Sequence, residues 1–335
     1  MKRDVYSRFE DYKKDHCWQY EMRQQNLAND LKEANLTEDE YLLLTVDDFI
    51  FSYVDKEDIE QCIEIKQFIQ RHEWLGNLPN RPTHRFTARL KCNNALAGVI
   101  IMAIPNSFSH LLGKENATLE RLISRGACIS WGPKHLGSWL VMKSIRWMVK
   151  NTEFRIFSAY SDPEAKELGT IYQACNFIYL GQTSGTPKQY YDNGYFNGKK
   201  KGWFSDREFR KKSMFMKYAK LIEPEFYHQV GFDDYKDKMF GFISWEKAKH
   251  IEGSLALRWK PNWEIMEKKY PGLKERLKKE EDKYRQTCEC RETKPKHKYI
   301  YLLGSSKKET KELRNKFKEL NKNMVNLPYP GNRGK

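Results

Sequence analysis

Apolar and polar residues alternate through His84–Leu90, whereas Leu96–Ile104 is almost wholly apolar, and the turn Lys91-Cys92-Asn93-Asn94 lies between them. Alternation at period two marks a half-buried strand, and an unbroken apolar run of this length marks a strand covered on both faces. The pair therefore predicts a hairpin inside a sheet flanked by helices. Ahead of it, Phe49–Val54 predicts a short strand. Ile59, Ile63, Phe68 and Ile69 predict an amphipathic helix, capped by Asp55 and stopped by the turn at 76–82, Gly-Asn-Leu-Pro-Asn-Arg-Pro. Further on, Leu119–Ile129 predicts another strand. The turn Ser130–Ser138 opens a helix running to about Asn151, whose Trp139, Leu140, Met142, Ile145, Trp147 and Met148 cover much of its circumference. Arg155–Tyr160 predicts a strand. Pro163 at a first helical position, with Asp162 as its cap, opens a short helix ending near Asn176, and Phe177–Leu180 predicts the next strand. Residues before about 45 are polar and helical in pattern, with Thr37 and Glu40 at capping-box spacing. The fold class expected is α/β (α+β), a mixed central sheet with helices on both faces.

Charge divides the chain. Of the net +15, all the excess lies late: residues 199–335 hold 36 Lys and Arg against 20 Asp and Glu, and the remainder holds 24 against 25. A basic region joined to a neutral one points to a polyanion-binding part beside a catalytic or structural part, with a solvated lysine-rich surface as the plainer reading. In that region aromatics mix with charge: Lys199, Lys200 and Lys201 precede Trp203, Phe204 and Arg207, then come Arg210, Lys211 and Lys212, and later Trp245, Trp259, Lys260 and Trp263. Basic side chains supply sequence-independent phosphate affinity, and aromatics stack on bases or build a small core. Ile243–Trp259 allows a helix-turn-helix, and 264–286 reads as one long charged helix. The seven cysteines have no framework spacing, which predicts reduced thiols. No segment has the roughly 20 apolar residues of a membrane span, and the first ten residues lack a signal-peptide apolar region, so a cytoplasmic protein without membrane contact is expected.

Candidate chemistry gathers around the second half of this pattern. The turn before the helix at 136–151 presents free backbone N–H groups and a positive dipole end, with Lys134 beside them, where a phosphate-bearing cofactor can sit. Asp162 ends a strand next to that turn, with Tyr160 just before it. It can serve as base, amine ligand or metal ligand, or simply cap a helix. Tyr172 can donate a proton or be a core tyrosine with a satisfied hydroxyl. Gly169 and Thr170 interrupt a helix that alanine would favour by roughly 1 kcal/mol, consistent with close approach by ligand or by packing. Cys288, Cys290 and His297 suggest zinc, but the spacing is not Cys-x-x-Cys and a fourth ligand is missing.

The order strand, helix, hairpin, strand, turn, helix, strand, helix, strand over about Asp48–Gln182 resembles the Gcn5-related N-acetyltransferase superfamily. Its pyrophosphate-binding signature, Gln/Arg-x-x-Gly-x-Gly/Ala, matches Lys134-His135-Leu136-Gly137-Ser138 with one glycine replaced. The resemblance implies that Leu136, Gly137 and Ser138 cradle acetyl-CoA or a related acyl-CoA. It also implies that Ser124, Arg125 and Gly126 lie where the fourth strand splays to admit the pantetheine arm, with Arg125 facing phosphate or DNA. The stretch Ala165–Phe177 resembles the family's next segment. There Tyr172 stands at the tyrosine that protonates the departing thiolate, and Asn176 stands where glycine is usual. A narrower resemblance is to the Mom-like enzymes of bacteriophages, a divergent branch of this fold. It is carried by Ser158–Pro163, Gly169–Tyr172, Asn176–Gly181, Lys296–Tyr301 and Leu327–Pro330.

What the Mom-like resemblance implies is a transferase that adds an acyl-derived, carbamoylmethyl-like group to adenine N6 in double-stranded DNA, inside a bacterial host cell, as protection against restriction. Adenine N6 in a duplex is reached by flipping the base, which needs a basic and aromatic surface. Iron has been suggested for such enzymes; His84 and His72 are the histidines considered for it, and the metal ligands are left unassigned. The organisation expected is a helical arm at 1–47, a catalytic core at 48–198, a basic and mainly helical insertion at 199–292, and a strand and helix at 293–335 completing the core. Two other readings stay open: an acetyltransferase acting on a protein or small amine, and a nucleic-acid-binding protein on a fold that has lost catalysis. Donor, sequence preference and oligomeric state are not encoded in any motif.

Overall fold

The computed structural model describes residues 17–79, 81–185, 187–193, 203–210, 214, 243–247, 257–261, 263–269, 271–324 and 327–330. Its helices are α1 (Trp18–Ala34), α2 (Glu38–Leu43), α3 (Ile59–His72), α4 (Leu136–Asn151), α5 (Thr170–Ala174), α6 (Trp263–Lys269), α7 (Leu273–Thr287) and α8 (Lys307–Leu320). The strands are β1 (Phe49–Val54), β2 (Pro82–Leu90), β3 (Leu96–Ala103), β4 (Glu120–Cys128), β5 (Ile156–Ser161), β6 (Ile178–Gln182), β7 (Lys188–Asp192), β8 (Phe204–Ser205), β9 (Ile243–Lys247), β10 (Leu257–Pro261), β11 (Cys288–Glu292) and β12 (His297–Leu302).

Seven strands form the main sheet in the order β1-β2-β3-β4-β5-β12-β6. Every pair is antiparallel except β4 with β5, so the sheet is mixed, as the sequence predicts. β3 is buried along its whole length, which its unbroken apolar run required. It is covered by α3, through Ile65 and Ile69, and by α4, through Leu140, Val141, Ile145 and Met148, all within one core. The C-terminal strand β12 lies between β5 and β6 and is antiparallel to both. Behind it α8 adds Phe317 to a smaller core with Ile156, Leu180, Ile300 and Leu302.

Local chemistry explains most element ends. Thr37 and Glu40 form the predicted capping box of α2. The cap of α3 is Asp58, not Asp55: its carboxylate accepts from the Gln61 N–H at 3.0 Å, while Asp55 accepts from Glu57 in the preceding turn. The helix expected from Pro163 to Asn176 is two pieces, a 3-10 turn at Pro163–Ala165 and α5. Lys166 and Gly169 between them have φ of 55° and 71°, which no continuous helix accommodates.

The basic region departs most from expectation. Its described residues include strands as well as helices: β9 and β10 pair antiparallel where a helix-turn-helix was expected, because Ile243–Lys247 and Leu257–Pro261 alternate apolar and polar residues. The long charged helix is broken into α6 and α7 at Pro271-Gly272, with Gly272 at φ 75°. β11 pairs with β7, and β7 with β8, so a second small sheet joins residues on both sides of the 199 boundary. Tyr284 of α7 packs that sheet by stacking on Phe204 and meeting Phe209 edge-on.

Candidate active site

β4 and β5 pair in parallel register only from Glu120–Ile156 to Ile123–Ala159. Beyond that point they separate, and Ser124 is the extra residue of a bulge, since Ile101 pairs with Arg125 but Met102 pairs with Ile123. A bulge bends its strand and adds twist, which is how one continuous sheet opens a notch at its middle. The notch is the floor of a cleft of about 1310 Å³, lined by Ser124, Arg125, Gly126, Lys134, Gly137, Ser138, Tyr160, Asp162 and Tyr172, among others. The structure thus gathers most of the sequence-predicted residues on one cavity. It is larger than the roughly 300–1,000 Å³ typical of a small-ligand pocket.

On one wall stands the start of α4. Its N-cap, His135, is left-handed at φ 69° and offers no side-chain cap, and Ser138 Oγ turns away to donate to the His135 carbonyl at 3.0 Å. The Leu136 N–H donates to the Pro133 carbonyl at 3.3 Å, which leaves the Gly137 and Ser138 N–H groups to an anion, with exposed Lys134 beside them. These residues fit a CoA phosphate. Two of the expected cofactor contacts are engaged in packing. Leu136 is 1% exposed and packs over Gly132, where an added Cβ would stand 2.9 Å from its Cδ2, and its N–H is taken by Pro133. At Gly137 an added Cβ would stand 2.9 Å from Ile171 Cδ1, so the small residue also serves the α4–α5 contact.

The turn is held from behind. Arg23 of α1 donates to the carbonyls of Ser130 and Gly132, the latter at 2.7 Å, and the buried carboxylate of Asp30 accepts from Ser130 Oγ at 2.6 Å and pairs with Arg71 at 2.5 Å. Cys17, Gln19, Tyr20 and Arg23 line the cleft, so the N-terminal arm walls the site as well as leading to it.

Opposite stand Asp162 and Tyr172. Asp162 is buried, caps the 3-10 turn by accepting from the Glu164 N–H at 3.0 Å, and pairs with Lys296 at 2.7 Å. The cap reading is thus realised in geometry, and the residue also lies on the cleft lining. Tyr172 packs between Phe177 and Tyr299, at 5.3 and 5.5 Å between ring centroids. Burial, then the charges of Glu167 and Glu73, hold its hydroxyl well above the usual phenol range, so it keeps its proton. Burial also raises Tyr160, with Glu120 adding to the effect.

Three of these residues have local structural roles. Arg125 does line the cleft, but it donates to the carbonyls of Asn77 and Ser124, each at 2.6 Å, and sits 3.8 Å from Glu73. It ties the 73–77 loop to β4 rather than reaching for nucleic acid. Asn176 lies outside the cleft lining, beyond α5, with φ 58°, a left-handed turn that asparagine tolerates and glycine prefers. Gly169 is explained by packing: an added Cβ would meet the Tyr299 ring at 2.5 Å. Of the basic residues, Arg207 lines the cleft and Arg210 is exposed, whereas Lys199, Lys200, Lys201, Lys211 and Lys212 lie outside the described residues.

Metal chemistry finds no donor set. Among the described residues no three His, Cys, Asp or Glu side chains converge to hold an ion. His72 lies against Phe68 and 3.8 Å from Asp30, His84 sits among Tyr53, Phe86, Trp147 and Phe154, and burial lowers both to about 4. His297 bonds Tyr179 through Nδ1 at 2.8 Å, on a different sheet from Cys288 and Cys290. The described residues do not fit iron or zinc. No helix among them is long and apolar enough to cross a membrane.

Glu167 is the residue that sequence reasoning missed. It follows left-handed Lys166, and its N–H bonds the Asp162 carbonyl at 3.1 Å, which fixes it on the cleft lining. Burial, then Glu73 and Asp162, push its carboxyl up to about 8 against the opposing charge of Lys296. No motif announces this, because the effect arises from burial and from Glu73, which is remote in sequence. Lys296 and Tyr299 do belong to a late motif singled out above, and the structure explains its link to α5. Tyr299 donates to the Leu168 carbonyl, Gln173 to the Leu168 and Pro330 carbonyls, and Tyr329 to the Phe177 carbonyl.

Comparison with solved structures finds ribosomal-protein-S5-alanine acetyltransferase from Vibrio fischeri at 16% identity, covering 38% of this chain and 59% of that one, with a TM-score of 0.26. The ribosomal-protein-S18-alanine N-acetyltransferase of Escherichia coli is 13% identical over 41% of this chain and 79% of that one, TM-score 0.27. Spermidine N-acetyltransferase from Vibrio cholerae, in complex with CoA and spermine, is 11% identical over 41% and 84%, TM-score 0.28. The chain thus spans about three fifths of the length of the first of these. Comparison with curated proteins finds no match. The model of the Mom protein family matches residues 64–271, from α3 through the cleft and into the basic region, and with more than half its length so matched the chain belongs to the Mom protein family.

Proposed function

We propose that this protein is a DNA-modifying transferase that places an acyl-derived group on adenine N6. The observation that carries the reading is the cleft: a cofactor-sized anion site at the start of α4 faces Asp162 and Tyr172 across the gap between β4 and β5. Membership of the Mom family supports the choice of DNA, as does the basic character of the later chain. A bound acyl-CoA supplies an activated carbonyl and a thiolate leaving group. The Gly137 and Ser138 N–H groups with Lys134 would hold its phosphates. Tyr172, which keeps its proton, would give it to the sulfur as the carbon–sulfur bond breaks and the N6–carbon bond forms, and the proton lost from N6 would pass to water in the cleft. Asp162 holds Lys296 at the cleft wall and keeps the end of β5 in place. The basic region would grip the phosphate backbone while the target base leaves the stack.

Mass spectrometry of nucleosides from cells expressing the protein tests this directly. An adenine adduct is expected with the wild type and not with Asp162→Asn, in which asparagine keeps the cap but loses the ion pair. Unmodified DNA together with acetyl-CoA turnover on a peptide or polyamine overturns the reading in favour of an amine acetyltransferase.

A further inference from the structure

Three carboxyls line the cleft, and two are already engaged. Asp162 pairs with Lys296, and Glu73 accepts from the Gly76 N–H at 2.9 Å and faces Arg125. Glu167 differs: among the described residues no side chain donates to its carboxyl or pairs with it, and the hydrogen-bonding group that acts on it is the backbone of Asp162. Its own N–H is held by the Asp162 carbonyl at 3.1 Å, which fixes the residue on the cleft lining. The same lining includes the apolar Leu75, Leu78 and Pro79, next to Trp74, which is 5% exposed and has Lys296 Nζ 5.7 Å over its ring.

We infer that Glu167 is the specificity-determining residue for the target base, donating a hydrogen bond from its carboxyl to adenine N1. This deepens the proposed function and rests on it. N1 and N6 are neighbours on one edge of adenine, so a donor seated on N1 keeps the amine in the cavity that holds Asp162 and Tyr172. Guanine and thymine present an N–H at the corresponding ring position and meet a donor unfavourably. Cytosine presents an acceptor beside an amine, as adenine does, and is distinguished by its smaller ring. The neutral form is available at physiological pH because Glu167 keeps its proton up to about 8. The groups acting on it are Cys17 at the start of α1, Glu73 after α3, Asp162 at the end of β5, Tyr172 on α5 and Lys296 before β12, with Lys166 next in the chain. Of these the two carboxylates favour the proton on Glu167 and Lys296 disfavours it.

The test uses the full chain, CoA and short labelled thymidine strands carrying one central deoxyadenosine or 1-deaza-deoxyadenosine, which keeps the amine and ring size but lacks N1. Fluorescence anisotropy at low salt reads the affinities. At neutral pH the wild type should prefer deoxyadenosine by about tenfold, the order of discrimination one well-placed polar contact provides. Well above pH 8 the preference should vanish, since the ionised carboxylate repels the N1 lone pair. Glu167→Gln keeps an N–H donor that does not titrate, so its preference should persist at both pH values, and Glu167→Ala should show none. Equal binding of the two strands by the wild type at neutral pH, or a preference that survives in Glu167→Ala, overturns this assignment while leaving the DNA reading standing. Failure to bind either strand overturns both.

Discussion

Tyr172 keeps its proton because a phenolate there would be desolvated and would face Glu167 and Glu73, and a group so held is a donor rather than a base. Tyr172→Phe keeps the ring contacts with Phe177 and Tyr299, so its melting temperature should match the wild type. Turnover, measured by thiol release, should fall by roughly 10²–10⁴-fold, the usual contribution of a positioned proton donor. His84 gives a different prediction, for stability. Burial among aromatics, with Arg121 and Arg85 adding to it, lowers it from 6.5 to about 4 in the folded chain, so between those values the unfolded chain binds the extra proton. Its stabilising contribution is present above about 6.5 and is lost as pH falls through about 4. Urea midpoints followed downward from neutral pH should therefore decline, and less so in His84→Phe. His72, displaced in the same direction, supplies part of the remaining slope.

Elements show where the sequence was readable. β3 and the capping box of α2 were legible because a run of apolar residues and a Thr-x-x-Glu spacing have only one economical structure. The break at Lys166–Gly169 was foreshadowed by Gly169, but its cause, the Tyr299 ring, comes from the far end of the chain. Glu167 was illegible for the same reason, since an ordinary glutamate becomes unusual only where folding buries it and brings Glu73 beside it. The helix-turn-helix expectation failed because one glycine cannot outweigh two alternating stretches that pair. The two glycines flanking the cleft separate cleanly by experiment. Gly169→Ala combines a positive φ with a rigid ring and should cost roughly 2 kcal/mol or more. Gly137→Ala meets only the flexible tip of Ile171 and gains helix propensity of about 1 kcal/mol, so it should be near neutral in thermal denaturation.

At the scale of the whole molecule, a neutral half carrying the cleft and a basic half adjoining it should separate chemistry from grip. DNA affinity should fall steeply and linearly on a logarithmic salt scale, and charge reversal at Lys199, Lys200, Lys201, Lys211 and Lys212 should flatten that slope without altering acyl-CoA binding. An unchanged slope would remove those residues from the DNA-binding surface. The position of β12 has a further consequence, for folding. β5 and β6 do not pair with each other and are joined only through β12, whose partners lie more than a hundred residues earlier in the chain. Closing so long a loop is slow, so β6 and the ion pair of Lys296 with Asp162 should form late in refolding.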